Sequence, residues 1–148
     1  PPAYLRALVD ELADQGVACV LIGLPDPAWR FTSRPEVLDL RGRTPSVLEL
    51  TNCVRLSDAV VAHDSFLFHL AGALGRRTVG LFAPTSAGLA ADYPTVTTIA
   101  SPAPCAPCGA CRETCPLGHS RCVAWDALSV ARAVEATLEA VAGATLQH

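Results

Sequence analysis

Hydrophobic and polar positions follow helical and strand patterns in turn along the chain. The period of the apolar residues predicts a first helix over 4–15, and Gly16 is its expected stop. The continuous apolar run 17–22 has the length of a buried parallel strand. Beyond it, the pattern predicts strands over 37–40, 58–62, 78–82 and 95–99, and helices over 44–56 (N-cap Thr44), 66–74 and from the N-cap Asp126 onwards.

This alternation predicts an α/β fold with a Rossmann-like, doubly wound parallel sheet. A hydrophobic share of 51% with only 17% charged residues suits a sheet that is covered on both faces. The 148 residues suffice for one domain. A doubly wound domain usually begins with a strand, whereas this chain enters a helix directly. We therefore expect a first strand, and a further N-terminal domain, upstream of residue 1.

Charge and hydropathy exclude several classes of protein. The formal net charge is −3 and no basic run forms a stripe for phosphates, so nucleic acid is not expected as a partner. The longest apolar runs are interrupted by Asp, His, Gly or Pro, so no transmembrane segment is expected. No signal peptide is visible, and a cytoplasmic location is expected.

The candidate ligand site lies where the strand over 58–62 gives way to a helix. Asp64 and Ser65 stand at this junction, and ligands of open α/β sheets bind at the carboxyl ends of strands. A helix N-terminus suits a phosphate, and Ser65 is the expected N-cap. His69 shares a face with Ser65 one turn later, and the small Gly72 and Ala73 leave room for a ligand. The alternative is an ordinary capped helix with a half-exposed histidine. The expected core stripe of the helix is Leu67, Leu70, Ala71 and Leu74.

The same stretch resembles a family signature. Residues 62–75 resemble the D-S-G-x-x-H-L-A-x-A-L-G signature of glycosyltransferase family 9, the ADP-heptose:lipopolysaccharide heptosyltransferases and their relatives. Residues 20–26 are similar to that family's V-L-x-G-G-P-D segment, 40–44 to its L-x-G-x-T segment, and 78–85 to its T-V-x-L-F-G-P-T segment. The four motifs occur in the family's order and cover most of the chain.

The resemblance implies a GT-B architecture, in which the C-terminal of two Rossmann-like domains binds the donor. Residues 1–148 would then be an N-terminally truncated donor-binding domain for a nucleotide-diphosphate sugar such as ADP-heptose. The acceptor would be a lipopolysaccharide, a glycan or a protein. The catalytic base would lie in the missing N-terminal domain, so this fragment alone is expected to be inactive. Carried over by position, Asp64, Ser65, the Phe66 amide and His69 would meet the diphosphate and sugar, Gly23 and Asp26 the ribose, and Gly42 and Thr44 the base.

The chain departs from the family pattern at three positions. Phe66 replaces the signature glycine, Ala83 replaces the glycine before Pro-Thr, and Pro27 stands where members often have a ribose-binding glutamate. A degenerate, non-catalytic binding domain therefore remains an alternative function.

Five of the seven cysteines are clustered in a Pro- and Cys-rich loop over 101–124. An odd total fits a disulfide framework poorly, and local clustering favours metal binding in a reducing cytoplasm. The run Cys105-x2-Cys108-x2-Cys111-x3-Cys115-Pro matches the bacterial ferredoxin run. An iron–sulfur redox module is therefore a second alternative function, and unligated or disulfide-paired thiols are a third possibility for the loop.

The resemblance gives the cysteines another interpretation. Many family members carry a C-x-P-C … C-P-x-G-H-x-x-C segment here, and residues 105–108 and 115–122 are similar to it. Autotransporter heptosyltransferases of the family hold an iron ion with four cysteines. The resemblance thus implies a structural zinc or iron ion that clips the loop. Its expected ligands are Cys105, Cys108, Cys115 and Cys122, with Cys111 and His119 as alternates.

Overall fold

The computed structural model describes most of the chain. Its described residues are 2–26, 31, 33–90, 92–109, 115–123 and 127–145. Three residues named above, Pro27, Cys111 and Asp126, lie outside these ranges.

Strands and helices alternate in the described ranges, as the sequence predicted. The first half contains α1 (Pro2–Asp14), β1 (Cys19–Leu21), β2 (Val37–Asp39), α2 (Val47–Leu56) and β3 (Ala59–His63). The second half contains α3 (Phe66–Ala73), β4 (Arg77–Phe82), α4 (Ala87–Ala90), β5 (Val96–Ala100), a 3-10 helix (Arg121–Val123) and α5 (Ala127–Thr145).

The strands form two parallel sheets. β3, β4 and β5 pair in that order, with Val61 opposite Val79 and Val79 opposite Thr97. β1 and β2 form a second sheet, which is not paired with the first within the described residues. The sequence predicted one continuous sheet. Within the described residues, no strand pairs with both β1-β2 and β3-β4-β5, so the two parts stay separate.

Helices cover both faces of the three-stranded sheet. On one face, α1 and α5 bury Leu8 and Ala133 against Val79 and Leu81 of β4. On the other face, Phe68 of α3 packs with Val54 of α2 and with Val60, Ala62 and Phe82 of β3 and β4. Successive residues of each strand thus face different helices, which explains the continuous apolar runs. The fold is a Rossmann-like, doubly wound α/β fold.

α2 begins later than predicted. The sequence suggested Thr44 as N-cap and Pro45 as first helical residue, but the N-cap is Ser46. The Ser46 hydroxyl accepts a bond from the Glu49 amide at 3.2 Å, and the Glu49 carboxylate accepts one from the Ser46 amide at 3.0 Å. This reciprocal capping box satisfies two amides, which a start at Pro45 would leave without these partners.

The buried face of α5 includes small polar residues. Ser129, Ala133, Val134 and Thr137 are buried, whereas Ala131 is exposed. The Thr137 hydroxyl donates to the Ala133 carbonyl at 2.6 Å, so it is buried without losing its hydrogen bond. Small polar residues with such local bonds can face a core, and a count of apolar residues misses them.

Candidate functional site

Polar residues stand at the carboxyl end of β3, as predicted. β3 is buried at Val60 and Ala62 and ends at His63, and α3 begins at Phe66. Asp64 and Ser65 form the connection. Because α3 packs on the sheet through Phe68, its N-terminus is held at the sheet's carboxyl edge.

Ser65 occupies the N-cap position, but its side chain does not cap the helix. Its backbone is extended, and its hydroxyl donates to the His63 carbonyl at 3.0 Å. The Ser65 side chain therefore accepts no bond from the first-turn amides of α3. These amides carry the positive end of the helix dipole, so the first turn of α3 retains donors for an anion.

His69 lies beside Asp64 at the same end of α3. The imidazole Nε2 is 3.6 Å from Asp64 Oδ1, and Nδ1 is 3.4 Å from the Tyr93 hydroxyl. The His69 side chain is 45% exposed, so it remains accessible to a ligand. The predicted neighbourhood of Asp64, Ser65 and His69 is therefore present, with both ring nitrogens of His69 close to polar groups.

The expected space beside Gly72 is filled. A Cβ at Gly72 would come within 2.5 Å of the Tyr93 ring, which packs over this residue. Gly72 therefore admits an aromatic ring, and the prediction that it leaves room for a ligand was wrong. Ala73 is exposed. Tyr93 was missed because it approaches α3 from a loop 24 residues beyond His69.

The centre of the α3 core also differs from the predicted stripe. Ala71 is fully buried, as predicted. Leu67, Leu70 and Leu74 are only partly buried, whereas Phe68 is fully buried. Phe68 makes an edge-to-face contact with Phe82 at a centroid distance of 5.2 Å, and it covers Gly80 of β4. The glycine in β4 could have suggested a large residue opposite, because a Cβ there would meet both rings.

Phe66 points away from the core. Its side chain is 58% exposed, and its backbone is that of an ordinary α-helix. A helical residue does not need the conformational freedom of glycine, so the replacement of the signature glycine imposes no backbone strain here.

Two further predicted residues, Gly23 and Gly42, lie close together. The Gly42 amide donates to the Gly23 carbonyl at 2.8 Å, which joins the loops that follow β1 and β2. Both glycines have positive φ angles, 138° and 72°, which other residues adopt with difficulty. Asp26 is exposed and Thr44 is half-buried in the same two loops. This pair of loops lies at the carboxyl end of the two-stranded sheet, and α3 begins at that of the three-stranded sheet.

Comparison with known families identifies the domain. The family model described as glycosyltransferase family 9 (heptosyltransferase) matches residues 1–120, most of the chain. The chain belongs to glycosyltransferase family 9. This membership confirms the resemblance of the four motifs and supports a transferase that moves glycosyl groups. No curated protein and no solved structure gave a match. None of the helices in the described ranges combines the length and apolar character needed to cross a bilayer.

The sequence did not single out an ion pair beside the Gly23–Gly42 loops of this family 9 domain. Arg41 binds Asp39 through two parallel bonds, from Nε at 2.9 Å and from Nη2 at 2.7 Å. The bonds from Arg41 hold the pKa of the Asp39 carboxyl below its ordinary value. The Arg41 guanidinium also lies over the Phe31 ring, 5.1 Å from its centroid. The pair fixes the end of β2 next to Gly42.

The cysteines of the family 9 domain are free thiols in the described residues. The backbone amides of Ser120, His119 and Leu117 donate to the Cys115 sulfur and lower the pKa of this thiol. Burial raises the pKa of Cys122, and the charges of Cys105, Cys108 and Cys115 add to this effect. Cys105, Cys108 and Cys115 therefore each lie within electrostatic reach of Cys122.

The described part of the cysteine loop does not bring three metal ligands together: no three His, Cys, Asp or Glu side chains of the described ranges have an arrangement that holds a metal ion. The Nδ1 atom of His119, an alternate ligand, accepts a bond from the Arg121 amide at 3.1 Å. Cys111 lies outside the described residues. The loop is nevertheless fixed to the sheet edge, because the Gly109 amide donates to the Pro84 carbonyl at 2.7 Å.

Proposed function

We propose that the first turn of α3 binds the diphosphate of a nucleotide-sugar donor such as ADP-heptose. The observation that carries the proposal is the orientation of Ser65, whose hydroxyl bonds to the His63 carbonyl and leaves the first-turn amides to a ligand. Family membership supports the assignment, since a glycosyltransferase needs a site for an activated sugar. Backbone amides at a helix N-terminus bind phosphate oxygens through both hydrogen bonds and the dipole.

The side chains at this site suit different polar groups of the donor. A neutral imidazole donates one N–H, so His69 suits a phosphate oxygen. An ionised carboxylate only accepts hydrogen bonds, so Asp64 suits a hydroxyl of the sugar and not the phosphate. The Gly23–Asp26 and Gly42–Thr44 loops would receive the ribose and the base.

The contribution of this domain to catalysis is to stabilise the leaving group. In inverting transfer, a base deprotonates the acceptor hydroxyl, which attacks the anomeric carbon as the nucleoside diphosphate departs. The amides of α3 and His69 would stabilise the charge that develops on the departing diphosphate. We place the base outside these 148 residues, in an N-terminal domain of the same cytoplasmic enzyme. The acceptor class remains a lipopolysaccharide, glycan or protein.

Calorimetry of the full-length protein tests the donor proposal. We expect ADP and an ADP-sugar to bind at least about tenfold more tightly than AMP, because the second phosphate reaches the first turn of α3. UDP and GDP serve as controls for the base, and the isolated 148-residue chain is expected to transfer no sugar. Equal affinity for AMP and ADP, or no heat with any nucleotide, would contradict the proposal and favour a degenerate binding domain.

We also propose a structural zinc or iron ion held by Cys105, Cys108, Cys115 and Cys122. The amide-to-sulfur bonds at Cys115 favour a thiolate, which is the form that binds these metals. Thiolates suit a tetrahedral zinc or iron ion. The ion would clip a loop that contacts Pro84, just after β4. Its role would therefore be to stabilise the sheet edge beside the donor site.

Metal analysis of the purified full-length protein tests this second proposal. We expect about one zinc or iron ion per chain, and we expect Cys115→Ser to lose most of it because one of four ligands is removed. Cys53→Ser is the matched control, since Cys53 lies in α2, away from the loop. A metal-free wild type, or equal metal content in both variants, would contradict the proposal. Visible absorbance with acid-labile sulfide would instead support the iron–sulfur alternative.

A further inference from the structure

Tyr93 packs its ring onto α3 next to the candidate donor site. The ring lies over Gly72, and its centroid is 6.3 Å from that of Phe68 and 6.1 Å from that of His69, both in edge-to-face geometry. Tyr93 is partly buried among the residues that cover this face of the sheet. Its position is therefore determined by packing, and its hydroxyl is directed to a fixed place.

The Tyr93 hydroxyl points to the Nδ1 atom of His69. The Tyr93 hydroxyl lies 3.4 Å from Nδ1, and the opposite ring nitrogen, Nε2, lies 3.6 Å from Asp64 Oδ1. The imidazole thus stands between a phenol and a carboxylate. A neutral imidazole carries its proton on one of its two nitrogens, and the partner of the other nitrogen decides which one.

We infer that Tyr93 is a positioning residue that sets the tautomer and the orientation of His69 for donor binding. When the phenol donates to Nδ1, the ring proton resides on Nε2, which faces Asp64 near the N-terminus of α3. Nε2–H can then donate to a diphosphate oxygen. The link to donor binding rests on the proposed function, whereas the contact between Tyr93 and His69 does not depend on it.

Gly72 leaves the space that the Tyr93 ring occupies beside His69. A Cβ at this position would lie 2.5 Å from Cδ2 and 2.6 Å from Cγ of Tyr93, well inside van der Waals contact. Any larger residue must push the ring away, and the hydroxyl moves with it. Gly72 therefore influences the hydrogen bonding of His69 indirectly, because it determines where the Tyr93 ring can lie.

Histidine 15N spectra test the inference directly. Full-length protein labelled with 15N-histidine is compared with Tyr93→Phe in alkaline solution, where histidine rings carry one proton. A His69→Asn variant assigns the signals. We expect the wild-type ring to be protonated on Nε2, and Tyr93→Phe to give a mixture of tautomers without loss of fold. An Nδ1-protonated wild type, or an unchanged tautomer in the variant, would overturn the inference.

Nucleotide binding provides a second, independent readout. We expect Tyr93→Phe to weaken ADP binding about three- to tenfold, the usual effect of one neutral hydrogen bond. In a His69→Ala background the same change should have an effect below about twofold, because Tyr93 acts through His69. Equal losses in both backgrounds would overturn the inference. If the wild type does not bind ADP, the proposed function fails, while the tautomer spectra still decide the role of Tyr93.

Discussion

Replacing Phe68 with alanine is expected to lower the free energy of unfolding by about 3–5 kcal/mol, the usual cost of truncating a buried phenylalanine. The side chain is fully buried and contacts the ring of Phe82, the last residue of β4. It also fills the space over Gly80, where no side chain can compensate for its loss. The cavity would separate α3 from the sheet, and the candidate donor site depends on that contact. Chemical denaturation of the full-length protein and the variant, compared under identical conditions, measures the change.

Phe66→Ala is the matched control for this prediction. It removes the same ring from the same helix, but Phe66 is 58% exposed and makes no contribution to the buried cluster. Surface substitutions usually change stability by less than about 0.5 kcal/mol. Equal destabilisation by the two variants would contradict the assigned orientation of α3.

Changing Ser65 to aspartate is expected to lower the affinity for ADP without lowering the stability of α3. A carboxylate at the N-cap interacts favourably with the helix dipole, so the stability of α3 should be kept or raised by up to about 1 kcal/mol. The same charge would lie where we place the diphosphate. Repulsion between charges about 4 Å apart near a protein surface is about 4 kcal/mol. We therefore expect ADP affinity, measured by calorimetry, to fall about 100-fold or more.

Ser65→Asn distinguishes charge from shape at this position. Asparagine is an equally good N-cap without the negative charge. Its side-chain oxygen would compete with the ligand for one first-turn amide, so we expect ADP affinity to fall by no more than about tenfold. Thermal unfolding of both variants should confirm that the helix is intact. Wild-type affinity in Ser65→Asp would show that the ligand does not reach the first turn of α3.

The periodicity of the sequence was enough to predict the succession of strands and helices. β3, β4 and β5 each lie within one residue of the predicted runs, because strands that are covered on both faces contain few polar residues. The boundaries of elements were predicted less accurately where a local hydrogen-bond pattern determines them. The start of α2 moved from Thr44 to Ser46 because Glu49 completes a capping box there.

The neighbourhood of Asp64, Ser65 and His69 was also predictable, since these residues are separated by at most five positions across one strand–helix junction. Helical geometry alone brings residues i and i+4 to one face. The burial of Phe68 in α3, by contrast, depends on the space over Gly80, a residue of the separate element β4. The pattern of leucines in α3 carried no information about that space.

The sequence by itself determined the alternation of elements, the polar junction after β3 and the family to which the chain belongs, because all three depend on residues close together in the chain. Only the tertiary structure decided what surrounds the junction. It brought Tyr93 onto Gly72 and against His69. Such contacts depend on how distant segments pack, and packing is set by the complementary shapes of side chains that are not neighbours in sequence.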